Sequence, residues 1–284
     1  MMKDLIKLVK LRLTFLVVFS ASITFLIGSR LGGHIDWINW AKLIVGGFLI
    51  TGAANGFNEI IEKDLDRLMT RTADRPLPSG RMNNGQALVL SVLMGIFGTY
   101  LLGSLNLLTG FLSVFAIILY AFVYTPLKQR SPISVFVGAI PGALPPLIGY
   151  VAAHPQIDRI AIIVFGIQFM WQFVHFWAIA WVLDDDYKLA GFRLLPTGKR
   201  DRASAIITFV FAVALVPVSV LPTYYAYGGY FVGGISLVCS LIFLYQSFVL
   251  MRTLEIKDAR KLMFGSFIYL PVVQLMFLFD LIVK

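Results

Sequence analysis

Asn58, Glu62 and Asp66 recur at intervals of four residues. On an α-helix each such step advances only about 40°, so the three oxygen-bearing side chains form one stripe along a single face, while Asp64 points elsewhere. Carboxylate and amide oxygens converging in this way suit a hard cation such as Mg²⁺, which takes one or two carboxylates and completes its shell with phosphate oxygens. The same residues would equally dress the solvated end of an ordinary helix.

Directly after the stripe comes Arg67-Leu-Met-Thr-Arg71-Thr-Ala-Asp-Arg75-Pro-Leu-Pro-Ser-Gly80-Arg81. Arg67, Arg71 and Arg75 keep the four-residue step, and guanidinium groups bind phosphate oxygens bidentately. Loop arginines also follow from membrane topology alone. An acidic stripe leading into an arginine stripe is the combination that a metal-bridged diphosphate requires.

A second acidic run ends Trp171-Gln-Phe-Val-His175-Phe-Trp177-Ala-Ile-Ala-Trp181-Val-Leu-Asp184-Asp185-Asp186-Tyr187. Nine of the 15 acidic residues fall in these two regions: Glu59, Glu62, Asp64, Asp66 and Asp74 in the first, Asp184, Asp185, Asp186 and Asp201 in the second. On one continuous helix His175 and Asp186 share nearly the same face, about 16 Å apart along the axis. An imidazole would then lie inside a bundle and a carboxylate at its mouth. An ionisable side chain at membrane depth is a functional-site hypothesis, with a hydrogen-bonded structural histidine as the alternative. Between the two regions stand Tyr124-Thr-Pro-Leu-Lys128-Gln-Arg130, able to reach phosphate from a third side, and the Gly- and Pro-rich stretch Gly138 to Gly149, typical of helices that line a cavity.

The elements that must position these groups are membrane helices. Hydrophobic residues make up 58% of the chain and charged ones only 14%, against about 25% charged in soluble domains. Apolar runs long enough to span a bilayer are expected near 13–29, 41–57, 87–104, 106–124, 133–153, 160–183, 205–225, 229–250 and 264–282. The fold class is all-α, nine helices in one transmembrane domain covering 1–284; the alternation of a membrane β-barrel is missing. In alternate loops on one side lie 20 of the 24 Lys and Arg, leaving Arg30, Lys42, Arg159 and Lys284 on the other. By the positive-inside rule the N-terminus is cytoplasmic and the C-terminus outside. The net charge of +9 is then mostly a topology signal, and nucleic acid is not expected as a partner. The first apolar run continues past Ser20-Ala21-Ser22, unlike a signal peptide, and no Arg- and Ser-rich transit peptide precedes it, which points to a bacterial cytoplasmic membrane. Cys239, alone in an apolar span, reads as a small buried residue.

With these motifs in place, the sequence resembles the protohaem IX farnesyltransferase family of the UbiA-type intramembrane prenyltransferases. The resemblance runs from about Lys10 to Arg202. It is densest at Asn58-x3-Glu62-x3-Asp66-Arg-x-Met69-x-Arg71-Thr72, at Tyr124 to Gly149, and at His175-Phe-Trp177 through Asp186-Tyr187-x2-Ala190-Gly191-x3-Leu195-Pro196. Departures are Lys10-Leu11-Arg12 where the family often has Lys-Pro-Arg, Phe173-Val174 where prolines are frequent, and Leu194-Leu195 where Met-Leu is usual.

The resemblance implies nine helices around a central cavity and two acidic faces binding Mg²⁺ and farnesyl diphosphate. Asn58, Glu62 and Asp66 would hold one metal, and Asp184, Asp185 and Asp186 would contribute to a second. Arg67, Arg71, Arg75 and Lys128 would bind the diphosphate. His175 and Trp177 would meet protohaem IX, His175 contacting the haem or orienting an acceptor and counting with Asn58, Glu62 and Asp66 among the catalytic residues. The lipid bilayer is a partner, and a haem-receiving enzyme is a further one. Two rivals share parts of the pattern: a prenyltransferase for a quinone precursor, opposed by the His-Phe-Trp segment, and a transporter, opposed by acids that gather at one surface and not at the midplane.

Overall fold

The computed structural model describes residues 2–283. Its helices, in chain order, are α1 (Met2–Leu8), α2 (Leu11–Leu31), α3 (Trp37–Asp66), α4 (Asn84–Gly103), α5 (Leu107–Ile117), a π-helical stretch over Ile118–Tyr124, α6 (Thr125–Leu127), α7 (Ser134–Ala153), α8 (Arg159–Leu189), α9 (Arg202–Ser219), α10 (Leu221–Tyr224), α11 (Tyr230–Thr253) and α12 (Ile256–Val283). Among the described residues nine helical segments are long and apolar enough to cross a bilayer, the fourth joining α5, the π stretch and α6, and the seventh joining α9 and α10. All nine expected spans are present. Lys284, placed on the outer side from sequence, lies outside the described residues.

Local chemistry explains where several helices start. The side chains of Asp36, Asn83, Asn106, Asp158 and Asp201 accept backbone N–H groups at the first turns of α3, α4, α5, α8 and α9, each such cap being worth about 1 kcal/mol. Asn83 and Gln86 form a reciprocal capping box. Helix α8 runs unbroken through Phe173 and Val174.

Helices α2, α7, α8 and α12 pack in a closed circuit, each against the next. Helix α3 joins it through α2 and is covered outside by α4, while α9 and α11 cover α8 and α12. Contact between α2 and α7 is backbone-close. A Cβ on Gly149 would lie 2.0 Å from the Ala21 carbonyl oxygen, so only glycine lets these two helices meet. Helix α7 also carries Pro141, Pro145 and Pro146. Pro146 has no N–H to give to the Gly142 carbonyl one turn back, and Gln168 of α8 supplies the missing donor at 3.3 Å. Gln172 donates likewise to the Ala139 carbonyl at 3.0 Å. Two glutamines thus bind α8 to α7, one of them at a carbonyl that a proline leaves without its helical donor.

One end of the bundle is held by charge. Leu8 of α1 is fully buried, while Lys7 pairs with Asp74 at 2.5 Å and Arg81 bridges Asp4 and Asp74, each at 2.8 Å. The short α1 therefore straps down the arginine-bearing loop that follows α3. At the other end, Arg30 donates to the carbonyls of Leu281 and Ile282 near the end of α12.

Candidate active site

The polar stripe on α3 faces inward. Asn55, Asn58, Glu59, Glu62 and Asp66 are all buried, although α3 is otherwise apolar. Burying that many polar groups is tolerated only with partners, and most of the partners come from other elements. Glu59 accepts the Leu77 N–H at 3.2 Å, and Asn55 donates to the Val9 carbonyl at 3.1 Å. Both tie the stripe to the chain segments around it.

Asn58, Glu62 and Asp66 then stand together, each facing a cation. Lys10 donates to Asn58 Oδ1 at 2.7 Å. The Asn58 amide passes hydrogen bonds to Glu62 Oε2 at 2.8 Å and Thr125 Oγ1 at 3.0 Å. Lys128 lies 2.5 Å from Glu62 Oε1, and Arg75 lies 2.6 Å from Asp66 Oδ2. Lys128 also sits over the rings of Tyr124 and Phe192, at 5.0 and 5.3 Å. Arg71 hangs over Tyr187 at 5.8 Å.

The arginine stripe divides. Arg75 and Arg71 turn toward the acids and Tyr187. Arg67 donates instead to the Pro78 carbonyl at 3.0 Å and lies 3.5 Å from Asp64, about half exposed, bracing its own loop.

The second acidic run also divides, because consecutive helical residues are about 100° apart and three cannot share a face. Asp186 Oδ1 accepts the Thr70 N–H at 2.7 Å, joining the end of α8 to the loop after α3. Asp184 is buried against Lys188 at 2.6 Å and Arg200 at 3.8 Å, and exposed Asp185 pairs with Arg200 at 2.9 Å. Of the three, Asp186 is the one tied to the loop that follows α3, while Asp184 and Asp185 turn to Arg200. Arg200 further donates to the Trp181 carbonyl at 2.6 Å, so the other two acids help to anchor the loop before α9.

His175 and Trp177 part in the same way. Trp177 is almost fully buried and packs with Phe136, Phe173 and Phe211. His175 is only partly buried, stacks on Trp171 at 4.4 Å and faces Ser266 of α12 at 2.7 Å. On α8 it lies between Trp171, which hydrogen-bonds α12, and Gln168 and Gln172, which hydrogen-bond α7. It therefore points into the interior bounded by those two helices.

Three participants were missed from sequence. Lys10 was counted as a topology charge and as part of the Lys10-Leu11-Arg12 motif but not as a site residue, yet it sits at φ 49° at the junction of α1 and α2. This left-handed conformation is unusual for a residue with a Cβ and is retained where the surroundings demand it. Burial, with Arg75 and Lys128 nearby, pulls its ammonium down to about 7. Thr125 and Tyr187 were read only as parts of motifs, and nothing in their spacing marks them.

Buried carboxylate oxygens without a hydrogen-bond donor include Asp66 Oδ1 and Asp186 Oδ2. They are not alone, since Glu59 Oε2 and the indole nitrogens of Trp177 and Trp181 are buried without a partner too, and among the described residues no three His, Cys, Asp or Glu side chains converge as a metal site; carboxylate and amide oxygens are nonetheless the donor type a hard cation takes. Lysine and arginine around them add anion-binding capacity. The cluster gathers acidic, amide and cationic side chains, buried or partly buried, where α3 ends.

Comparison with known proteins gives this site its context. The model of the UbiA prenyltransferase family matches residues 17–270. A protoheme IX farnesyltransferase from Cytophaga hutchinsonii is 45% identical over 276 residues, covering 96% of both chains. Another from Christiangramia forsetii is 39% identical, covering 100% of this chain and 95% of its own. Among solved structures, a digeranylgeranylglyceryl phosphate synthase superposes with a TM-score of 0.81 at 21% identity over 100% of this chain and 99% of its own. A UbiA homologue from Archaeoglobus fulgidus bound to GPP and Mg²⁺ superposes with a TM-score of 0.69 at 12% identity, over 99% of this chain and 100% of its own.

Proposed function

The chain belongs to the UbiA prenyltransferase family, and we propose from this premise that it transfers a farnesyl group from farnesyl diphosphate to a vinyl group of protohaem IX, giving haem O and diphosphate. It is a multi-pass membrane protein. The basic loops lie on the cytoplasmic side of a bacterial inner membrane, with the N-terminus inside and the C-terminus outside. The observation that carries the reading is the buried stripe of Asn58, Glu62 and Asp66, each side chain facing a cation, Lys10, Lys128 and Arg75 in turn.

Asn58, Glu62, Asp66 and Asp186 are the residues that would hold Mg²⁺, which when bound would supply positive charge to the diphosphate oxygens. Arg71, Arg75 and Lys128 bind the same diphosphate, with Lys10 beside them, and stabilise the charge that collects there in the transition state. The allylic C–O bond breaks with its electron pair leaving on diphosphate. The vinyl π electrons then form the new carbon–carbon bond, and water adds to the resulting cation with loss of a proton, giving the hydroxyethylfarnesyl substituent. Apolar and aromatic walls keep water away from the farnesyl cation until the acceptor has attacked.

Purified protein in nanodiscs, given farnesyl diphosphate, Mg²⁺ and either haem or a quinone precursor, should yield a farnesylated product only from haem, read by mass. Product from the quinone precursor alone would overturn the acceptor assignment. Asp66→Asn should abolish Mg²⁺-dependent diphosphate release at normal protein levels, and retained turnover would remove Asp66 from the metal site.

A further inference from the structure

Ser266 of α12 is fully buried and engaged from three directions. Its carbonyl accepts the Trp171 indole N–H at 3.0 Å. Its hydroxyl lies 2.5 Å from the Met263 carbonyl oxygen and 2.7 Å from His175 Nδ1. A serine hydroxyl has one hydrogen. The Met263 carbonyl can only accept, so that hydrogen goes to it, and the serine oxygen is left to accept from His175. Nδ1 must then carry the imidazole proton, and Nε2 carries a lone pair. Nε2 has no hydrogen-bond partner among the described residues and belongs to a side chain that is only partly buried.

The ring plane is fixed as well. Trp171 stacks on the imidazole at 4.4 Å with 16° between planes, and Phe267 meets it edge-on at 5.3 Å. Trp171 is itself tethered by the Ser266 carbonyl, so one residue controls both the tautomer and the stacking surface. When one nitrogen of a histidine is committed to a hydrogen bond in this way, the other is prepared as a metal ligand.

We propose that Ser266 is a positioning residue for the acceptor half of the reaction: it locks His175 as the Nδ1–H tautomer, so that the Nε2 lone pair is available to ligate the iron of the haem substrate. The proposal rests on the haem reading above. It places the macrocycle at the His175 level, about 16 Å along α8 from Asp186.

The test is a titration of ferric protohaem into the full-length protein in nanodiscs, followed by Soret absorption and electron paramagnetic resonance. Wild type should show a nitrogen-ligated signature, and His175→Ala should lose it. Ser266→Ala should weaken ligation roughly 10-fold or more, the usual effect of removing the outer hydrogen bond to a ligating histidine. Ser266→Thr, which keeps the hydroxyl, should restore it. Affinity for farnesyl diphosphate with Mg²⁺ should stay at the wild-type level in Ser266→Ala, which shows that the variant is folded. A Ser266→Ala spectrum and affinity equal to wild type would overturn the positioning role. Haem binding that His175→Ala leaves unchanged would overturn Nε2 ligation while leaving the haem reading intact. Wild-type protein that binds no haem would overturn both.

Discussion

The pair between Arg75 and Asp66 offers a direct test of the metal site. The Asp66 side chain is 1% exposed and that of Arg75 17%, and this bond is the one the Asp66 carboxylate makes among the described residues, Oδ1 having none. Replacing Arg75 by Met leaves a buried carboxylate without its cation, a change that costs about 3–5 kcal/mol in comparable settings. At a few degrees per kcal/mol, the melting midpoint should fall by roughly 10 °C. Saturating Mg²⁺ acts in the opposite direction, since a ligand at 100 times its Kd contributes about 2.7 kcal/mol. It should act more strongly on the variant, where it need not displace a guanidinium. The expected result, from tryptophan-fluorescence melting in nanodiscs, is a large gap between wild type and Arg75→Met in EDTA that shrinks by at least half in excess Mg²⁺, with Arg75→Lys intermediate. A gap of the same size in both buffers would refute the reasoning, because Asp66 would then be a structural acid that no metal approaches.

Other perturbations separate binding from architecture. Arg71, which among the described residues is held over an aromatic ring and by no ion pair, should tolerate Ala with little change in melting midpoint, while the KM for farnesyl diphosphate rises about 10-fold, as expected for one charge-assisted hydrogen bond. Gly149→Ala should sharply lower the folded yield in a detergent-solubility assay, because its Cβ would collide with the Ala21 backbone, whereas Gly234→Ala, which meets open space, should leave the yield unchanged. The α1 strap should respond to acid. Hydrogen bonds from Lys7 and Arg81 hold Asp74 below the ordinary carboxylate value of 3.8, and those from Arg81 do the same for Asp4. Their contribution is complete above that value and is lost as pH falls through the lower folded values, so limited proteolysis of the 67–83 loop should accelerate only there.

The number of spans and the identity of the α3 stripe were legible in the sequence, because apolar run length and four-residue spacing report directly on helix geometry. Helix ends were less so. The second span was expected at 41–57 and runs to Asp66; the sixth was expected at 160–183 and runs to Leu189. Both helices continue past their apolar runs as polar turns, which a polarity criterion takes for loop; on α3 those turns carry buried Asn58, Glu59, Glu62 and Asp66, on α8 buried Asp184 beside exposed Asp185 and Lys188. The acidic triplet 184–186 shows the reverse. Its clustering suggested one shared site, but helical rotation of about 100° per residue sends Asp184 and Asp186 to different faces. Lys10 could be placed only by the fold, since its charge served equally well as a topology signal and its contact with Asn58 spans 48 positions.

The π-helical stretch over Ile118–Tyr124 has a mechanical consequence. A wide turn of this kind amounts to one extra residue inside a helix, so it sets the azimuth of everything that follows. Thr125 and Lys128, which meet Asn58 and Glu62, are aimed by it. Excising a single residue from 118–124 would straighten the segment into regular helix and swing Lys128 by about 100°, out of register with the acid it now neutralises. Insertions or deletions there would thus retune the charge of the site from a distance, with every catalytic side chain still in the chain.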